Sequence, residues 1–384
     1  MRPLQQVHGL DLEWQPLRRG LPQPHRHLRT GALNPDSIEE AVPADALQQW
    51  IDANVPGARG PVTISHLSGG SSNLTFRVRD DINDWVLRRP PVGAFLATAN
   101  DMGREFRVQQ GLAGSAVPVA QTVALCDDPE IIGAPFYLME FVDGIVYSDA
   151  DAVAHLDPGQ ALAATDELID VLARLHAVDF EAVGLGQLGK PEGFLERQVH
   201  RWCTQWEKSK QQDLSSIDEV ARRLNRSIPA HTDSAIVHGD YSFNNTMWSR
   251  TDPTRMVAVL DWEMSTLGDP LTDLGMVSVY WEAAGELMWR NRSPQPHRVN
   301  SGFPGVDHLL ARYETTSGRS LRDIDVYRVL AVFKLAVITE GAHARIRATR
   351  PDEDTAPIAS TVAALADLAL ELADASPVST LRGN

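Results

Sequence analysis

A chain of 384 residues with 43% hydrophobic residues is long enough for one large or two modest domains with a sizeable core. Its 35 basic and 51 acidic side chains give a net charge of -16, which argues against nucleic acid and anionic membrane as partners and tolerates a cationic ligand, although solubility alone accounts for it. Two cysteines, Cys126 and Cys203, make neither a disulfide framework nor a zinc site and fit a reducing, cytoplasmic setting.

Residues 1 to 35, rich in Arg, Pro, Gln and His, read as an extended arm without a signal-peptide core, and no stretch of the chain approaches the length of apolar sequence a membrane span needs. A first helix is predicted from Pro43 to Val55, where Ala46, Leu47, Trp50 and Ile51 fall at helical spacing. Strands follow at Val62 to Leu67 and Leu74 to Val78, joined by Ser68-Gly69-Gly70-Ser71-Ser72-Asn73. Such a turn is often a bare hairpin, but its amides and short side chains also admit phosphate without obstruction. Trp85-Val86-Leu87-Arg88 is a third strand, with Val86 and Arg88 on one face, Trp85 and Leu87 on the other, and Arg89 pointing to solvent. A helix from Asn100 to Leu112 carries Glu105, and Pro135 to Phe141 is a buried-strand run ending in Val142-Asp143-Gly144.

From about Ala150 the pattern turns helical. Asp157-Pro158 opens a long helix in which Leu162, Ala163, Leu168, Ile169, Leu172, Leu175 and His176 keep the helical period. A second helix, Phe194 to Lys208, carries Trp202 and Trp206 four apart, with Arg197 and Arg201 available to an anionic group on a substrate. Asp269-Pro270 and Asp273 look like a helix start with a structural role. Helices at His308 to Thr315, Val326 to Arg345 and Ile358 to Ala373 complete the chain, with a long surface loop from Asn291 to Gly305 near the acceptor side.

Chemistry concentrates between Ala235 and Gly275. The apolar strand Ala235-Ile236-Val237 runs into His238-Gly239-Asp240, and Asn245 follows the aspartate. After a turn-rich break from Ser249 to Arg255, the apolar run Met256 to Leu260 delivers Asp261, so the stretch reads as a hairpin with a polar group at each mouth. Carboxylate, carboxamide and carboxylate on adjoining loops suit magnesium, which takes oxygen ligands along with water and nucleotide phosphates. Phosphoryl transfer needs that set and a proton acceptor for the attacking hydroxyl, which assigns Asp240 as base and Asn245 and Asp261 as metal ligands, with Glu263 a weaker candidate for the metal.

His-Gly-Asp, four residues, then Asn, followed by Leu260-Asp261-Trp262-Glu263 and Gly268-Asp269-Pro270-Leu271-x-Asp273-Leu274, resembles the aminoglycoside phosphotransferase and choline-kinase-like family, distant relatives of protein kinases. Val86-Leu87-Arg88-Arg89-Pro90-Pro91 and the Arg197 to Trp206 segment are most similar to the kinase domains that some eukaryotic proteins carry fused to an acyl-CoA dehydrogenase. The resemblance covers about residues 40 to 370. It implies an α+β, bilobal protein-kinase-like fold, with a small antiparallel β N-lobe over residues 36 to 142 and a mostly helical C-lobe over residues 143 to 384.

The same resemblance implies ATP and Mg2+ as cofactors and a small-molecule hydroxyl as acceptor: the family's name suggests aminoglycosides, the likeness to dehydrogenase-linked kinase domains a hydroxyacyl-CoA or similar metabolite. Ser71, Ser72, Asn73 and Arg88 would hold nucleotide phosphates, with Glu105 paired to Arg88, where the family has lysine. The backbone of Glu140, Phe141 and Val142 would meet adenine, His238 would orient the loop, and Arg197, Arg201 and Trp202 would face the acceptor. A protein kinase is disfavoured, since no Ala-Pro-Glu segment follows Asp261. The alternative is an ATP-binding kinase-like protein without phosphotransfer.

Overall fold

The structure is a computed structural model that describes residues 35–67, 73–92, 101–230, 232–289, 297 and 300–383. Ser71 and Ser72 of the expected phosphate loop, nearly all of the expected N-terminal arm, the expected helix start at Asn100 and most of the expected loop from Asn291 to Gly305 lie outside the described residues.

Strands β1 (Thr63–His66), β2 (Leu74–Arg79), β3 (Asp84–Arg89), β4 (Thr122–Cys126) and β5 (Phe136–Glu140) form an antiparallel sheet in the order β1-β2-β3-β5-β4. Arg88 sits opposite Thr75 of β2 and Tyr137 of β5, in the middle of the sheet. Because successive side chains alternate across a strand, Phe76, Val78, Trp85, Leu87, Phe136 and Leu138 share one face, buried with Leu47 and Ile51 of the helix Ala44–Asn54. Val86, Tyr137 and Met139 cluster on the opposite face with Met102 of the helix Met102–Leu112. Arg88 shares that second face through its pairing with Tyr137.

Arg89 does not point to solvent. It is 3% exposed, and its guanidinium donates to the carbonyls of Ala41, Pro90 and Ile132. The cause is a helix absent from the sequence reading, Pro35–Ala41. The last carbonyls of a helix have no partner within it, and a cation can satisfy one of them.

The larger lobe gathers the helices Pro158–His176, Phe194–Ser209, Ser215–Arg226, Leu271–Trp281, Val306–Ser317, Ile324–Thr349 and Ala356–Ala375 around one core. Asp157 and Gln160 close a capping box in front of Pro158, which fixes the start of the first of these. Ala150–Val153, Ser215–Arg226 and Ala283–Trp289 are helices that the sequence reading does not predict. Ala356–Ala375 is long and apolar enough to cross a membrane by length and composition, against the expectation that no stretch is. Alanine supplies much of that character, and the helix buries one face, Val362, Leu365, Ala366, Ala369 and Ala373, packing along Ile324–Thr349.

Two small sheets carry the loops of interest. β8 (Thr246–Trp248) and β9 (Met256–Val259) form the expected hairpin, with β6 (Ile145–Val146) along the free side of β8. β7 (Ala235–Val237) pairs instead with β10 (Thr266–Gly268).

Candidate active site

β7 is three buried residues that deliver His238-Gly239-Asp240. Gly239 has φ +86°, and a Cβ there would meet Met264 at 2.8 Å, so the turn requires glycine. The amides of this turn are taken by one carboxylate: Asp273 Oδ2 accepts from His238 N at 2.6 Å and Oδ1 from Gly239 N at 2.8 Å. Asp273 is 1% exposed and also meets His176 Nε2 at 3.2 Å. Burial works to raise its pKa, but its bonds to His176 and His238 outweigh that and hold it below the usual carboxylate range. Burial lowers the pKa of His176, so the neutral ring donates from Nε2 to Asp273 and accepts the Tyr313 hydroxyl at Nδ1, 2.7 Å away. Asp273 therefore does more than begin a helix: it clamps the loop that bears Asp240. Asp269 does act near the helix start, accepting Leu271 N at 2.9 Å and the Tyr327 hydroxyl at 2.8 Å.

His238 is fully buried, with Nε2 donating to Leu260 O at 2.8 Å and Nδ1 accepting Asp240 N at 3.3 Å. Both ring nitrogens are thus engaged in holding backbone. From the other side, Leu260 N donates to the main-chain oxygen of Asn245 at 2.8 Å. The Asn245 side-chain amide donates to Asp240 O at 2.8 Å and to Asp240 Oδ2 at 2.9 Å, which leaves its Oδ1 for a ligand. The Tyr280 hydroxyl lies near the Asp240 carboxylate, whose charge adds to the burial that raises the Tyr280 pKa. Burial raises the pKa of Asp240, with His238, Lys334 and Asn245 pulling the other way, so this carboxylate is a stronger base than a free one.

Past β9 and Leu260, Asp261 adopts φ 62°, the one positive φ outside glycine among the described residues. Aspartate tolerates this left-handed geometry better than most residues, and strain of this kind collects at functional sites. Asp261 Oδ1 accepts Arg88 Nη2 at 3.0 Å, and Arg88 Nε lies 3.1 Å from Glu105 Oε2, so one guanidinium joins the sheet, the helix Met102–Leu112 and the Asp261 loop. Glu105 is 1% exposed and accepts the Tyr137 hydroxyl at 3.0 Å and Asn73 Nδ2 at 2.9 Å. Asn73 Nδ2 also donates to Glu263 Oε2 at 3.2 Å, across to the larger lobe, while its Oδ1 is buried without a partner. Burial pushes Glu105 up to about 7 against the pull of Arg88.

Glu105, Asp261 and Glu263 each bring a carboxylate oxygen within 4.8 Å of the others. Together with Asn245, tied to them through Leu260, this all-oxygen set suits a hard divalent cation rather than zinc. At the end of β5, Glu140 N donates to Gln121 O at 2.8 Å and Phe141 N to Asp84 O at 3.0 Å. Those two N–H groups are spent inside the sheet, so a contact of Glu140 or Phe141 with adenine would run through their carbonyls. Val142 has the one amide of the three without a partner among the described residues.

Beside the Gly239 turn opens a cleft of about 700 Å³, lined in part by Arg197, Arg201 and Trp202, as well as Lys190, Glu263 and Lys334. The two terminal nitrogens of Arg197 donate to the carbonyls of Lys190 and Glu192, so this arginine props the wall instead of reaching inward. Arg201 is exposed, its guanidinium 5.3 Å from the Trp202 ring. Lys334, on Ile324–Thr349, donates to Gly239 O at 3.1 Å, and burial lowers its pKa. Sequence reading missed Lys334 and Tyr280, which lie in apolar helical runs. A signal existed for the first: Val332-Phe333-Lys334-Leu335-Ala336 sets one cation among core residues, where a charge is costly without purpose.

Residues 63–295 match the phosphotransferase enzyme family. The chain is 32% identical over 335 residues to acyl-CoA dehydrogenase family member 11 of Rattus norvegicus, a match covering 85% of this chain and 43% of that protein, so it spans less than half of that relative's length. Among solved structures, a Ralstonia eutropha protein provisionally described as an aminoglycoside phosphotransferase is 33% identical with a TM-score of 0.74, covering 85% of this chain and 97% of its own. A thermostable aminoglycoside phosphotransferase APH(4)-Ia, solved in ternary complex with AMP-PNP and hygromycin B, has a TM-score of 0.56 at 16% identity, covering 87% of this chain and 100% of its own, a likeness of fold alone.

Proposed function

The chain belongs to the phosphotransferase enzyme family, and from that premise we propose that it transfers the γ-phosphoryl group of ATP, with Mg2+, to an alcohol group of a small molecule. The acceptor hydroxyl attacks the γ-phosphorus, the bond to the bridging oxygen breaks, ADP leaves, and Asp240 takes the hydroxyl proton. Asn245 holds the Asp240 carboxylate in register for that proton, with Tyr280 beside it. Arg88 and Asn73 grip phosphate together with Ser71 and Ser72, and Val142 faces adenine. Asn245 Oδ1, Asp261 and Glu263 would hold magnesium, which when bound neutralises the β- and γ-phosphate charges.

The observation that supports this reading most is the joining of the two loops at Leu260, which accepts from His238 and donates to Asn245, with Asp240 bonded to Asn245 and within electrostatic reach of Asp261. The likeness to acyl-CoA dehydrogenase family member 11 supports a hydroxyacyl-CoA or similar metabolite as acceptor over an antibiotic. The test is ADP formation and phosphorus NMR with MgATP against aminoglycosides, choline, sugars and hydroxyacyl-CoAs. Asp240→Asn is expected to lower kcat by about 10²–10⁴ while ADP still raises the melting temperature. A variant as fast as wild type would remove Asp240 from the reaction. Nucleotide binding with no product from any acceptor would favour a nucleotide-binding protein without transfer, a reading for which Arg88, in place of the family's lysine and already paired to Asp261, is the supporting feature.

A further inference from the structure

Arg223, Arg312 and Arg328 each hold two carboxylates, and Arg88 holds Glu105 and Asp261. The cleft beside the Gly239 turn is built differently, for it gathers several unpaired cations on one set of walls. Lys190, Arg201 and Lys334 all line it, and none of the three forms an ion pair among the described residues. Acidic groups on the same walls are bonded elsewhere: Asp101 to the Arg104 amide and Arg107, Asp273 to His176 and to the His238 and Gly239 amides, and Glu263 to Asn73. Asp240 and Asp273 favour the charge of Lys334 from a distance without pairing with it.

We infer that this cleft contains an anion site, in which Lys334 at the floor and Arg201 and Lys190 toward the rim take a carboxylate or phosphate group carried by the molecule that offers its hydroxyl to Asp240. The inference rests on the proposed phosphotransfer for the hydroxyl, but on the cleft alone for the anion. Lys334 is aimed for the task. Its Nζ donates once, to Gly239 O, and an ammonium has three donors, so two remain for a ligand. The Trp202 ring lies 5.8 Å from Nζ and closes one side. Burial lowers the Lys334 pKa against the pull of Asp240 and Asp273, and Arg201 is near enough to add to that lowering. Two like charges held in a half-buried cleft raise the energy of the empty protein, and a multi-oxygen anion between them relieves it. The same arrangement opposes a polycationic acceptor, whose ammonium groups would meet these cations directly. Because Lys334 also holds the Gly239 carbonyl, one residue away from Asp240, a filled anion site fixes the acceptor and the base-bearing turn through one side chain.

The experiment titrates the whole chain with malonate and, separately, with inorganic phosphate by calorimetry, with no nucleotide present. Saturable binding of at least one anion is expected, malonate reporting a carboxylate preference and phosphate a phosphate preference. Lys334→Gln should weaken it by about tenfold or more and the rim variant Arg201→Ala by roughly threefold, with Lys334→Arg keeping most of it. If Lys334→Gln fails to fold, Arg201→Ala and Lys190→Ala carry the test. The inference is overturned if neither anion binds, or if Arg201→Ala and Lys190→Ala bind as wild type does while Arg88→Ala alone loses the anion, which would put it on the phosphate grip of the other side. A second arm compares a hydroxy acid with the diol of equal length as acceptors in MgATP: preference for the acid, lost in Arg201→Ala, is the expected result. A protein that binds the anion yet phosphorylates nothing loses the kinase reading and keeps the anion site. One that phosphorylates cationic acceptors and binds no anion does the reverse.

Discussion

On the proposed nucleotide side of the site three carboxylates, Glu105, Asp261 and Glu263, are drawn together by one guanidinium and one carboxamide, whereas on the proposed acceptor side Lys190, Arg201 and Lys334 form no ion pair among the described residues. The first arrangement is self-satisfied: Arg88 pairs with Glu105 and Asp261, and in the proposed reaction nucleotide with its metal would displace part of that pairing. The second is waiting for charge from outside. Net charge, which at -16 tolerates a cationic ligand but is accounted for by solubility, is therefore a poor guide to either side. What matters is which charges remain unpaired once the chain has folded.

The strongest blow to this contrast is Arg88→Ala, which leaves Glu105 buried without its cation. Removing one partner of a buried pair is expected to cost about 3–5 kcal/mol in urea unfolding and to abolish the thermal shift given by ADP. Arg88→Lys should restore part of both. An unchanged unfolding midpoint in Arg88→Ala would mean that the nucleotide side is held by something else.

A smaller effect comes from pH. Burial raises Glu105 from an ordinary 4.5 to about 7 in the folded protein. The native state then binds more protons than the unfolded one between those values, so the Glu105 contribution is intact below the lower value and is lost as pH rises through the upper. Glu105→Gln, which cannot ionise, should flatten that part of the stability curve. Denaturant melts of both proteins across this window check it, and parallel curves would count against the assignment. The smallest effect is expected from Arg197→Ala on the acceptor side. Its guanidinium is tied to the Lys190 and Glu192 carbonyls, so the variant should lose about 1 kcal/mol of stability and leave kcat unchanged. A collapse in kcat would show that Arg197 reaches the acceptor after all.

Much of this was legible from residue order because it is local. Alternation in Trp85 to Arg88 assigned Arg88 to the face of Val86, and the turn residues between Trp248 and Met256 announced the hairpin that presents Asp261. Arg89 was not legible, since its burial depends on the helix Pro35–Ala41, 48 residues distant from Arg89 at Ala41. Asp273 looked like a helix start because the sequence shows its neighbours in the chain and not the two amides it clamps from Leu271–Trp281. Lys334 was hidden for the same reason: its helix is buried on so many sides that no polar stripe marks the cleft-facing edge.

The Leu260 peptide has a consequence for how such a protein can change. Its oxygen is held by the His238 ring and its nitrogen holds the main chain at Asn245, so the spacing between the two loops is written partly into backbone, which no side-chain substitution erases. A change in the compound accepted would then fall most freely on the exposed cleft residues of Phe194–Ser209, such as Arg201, which hold neither loop.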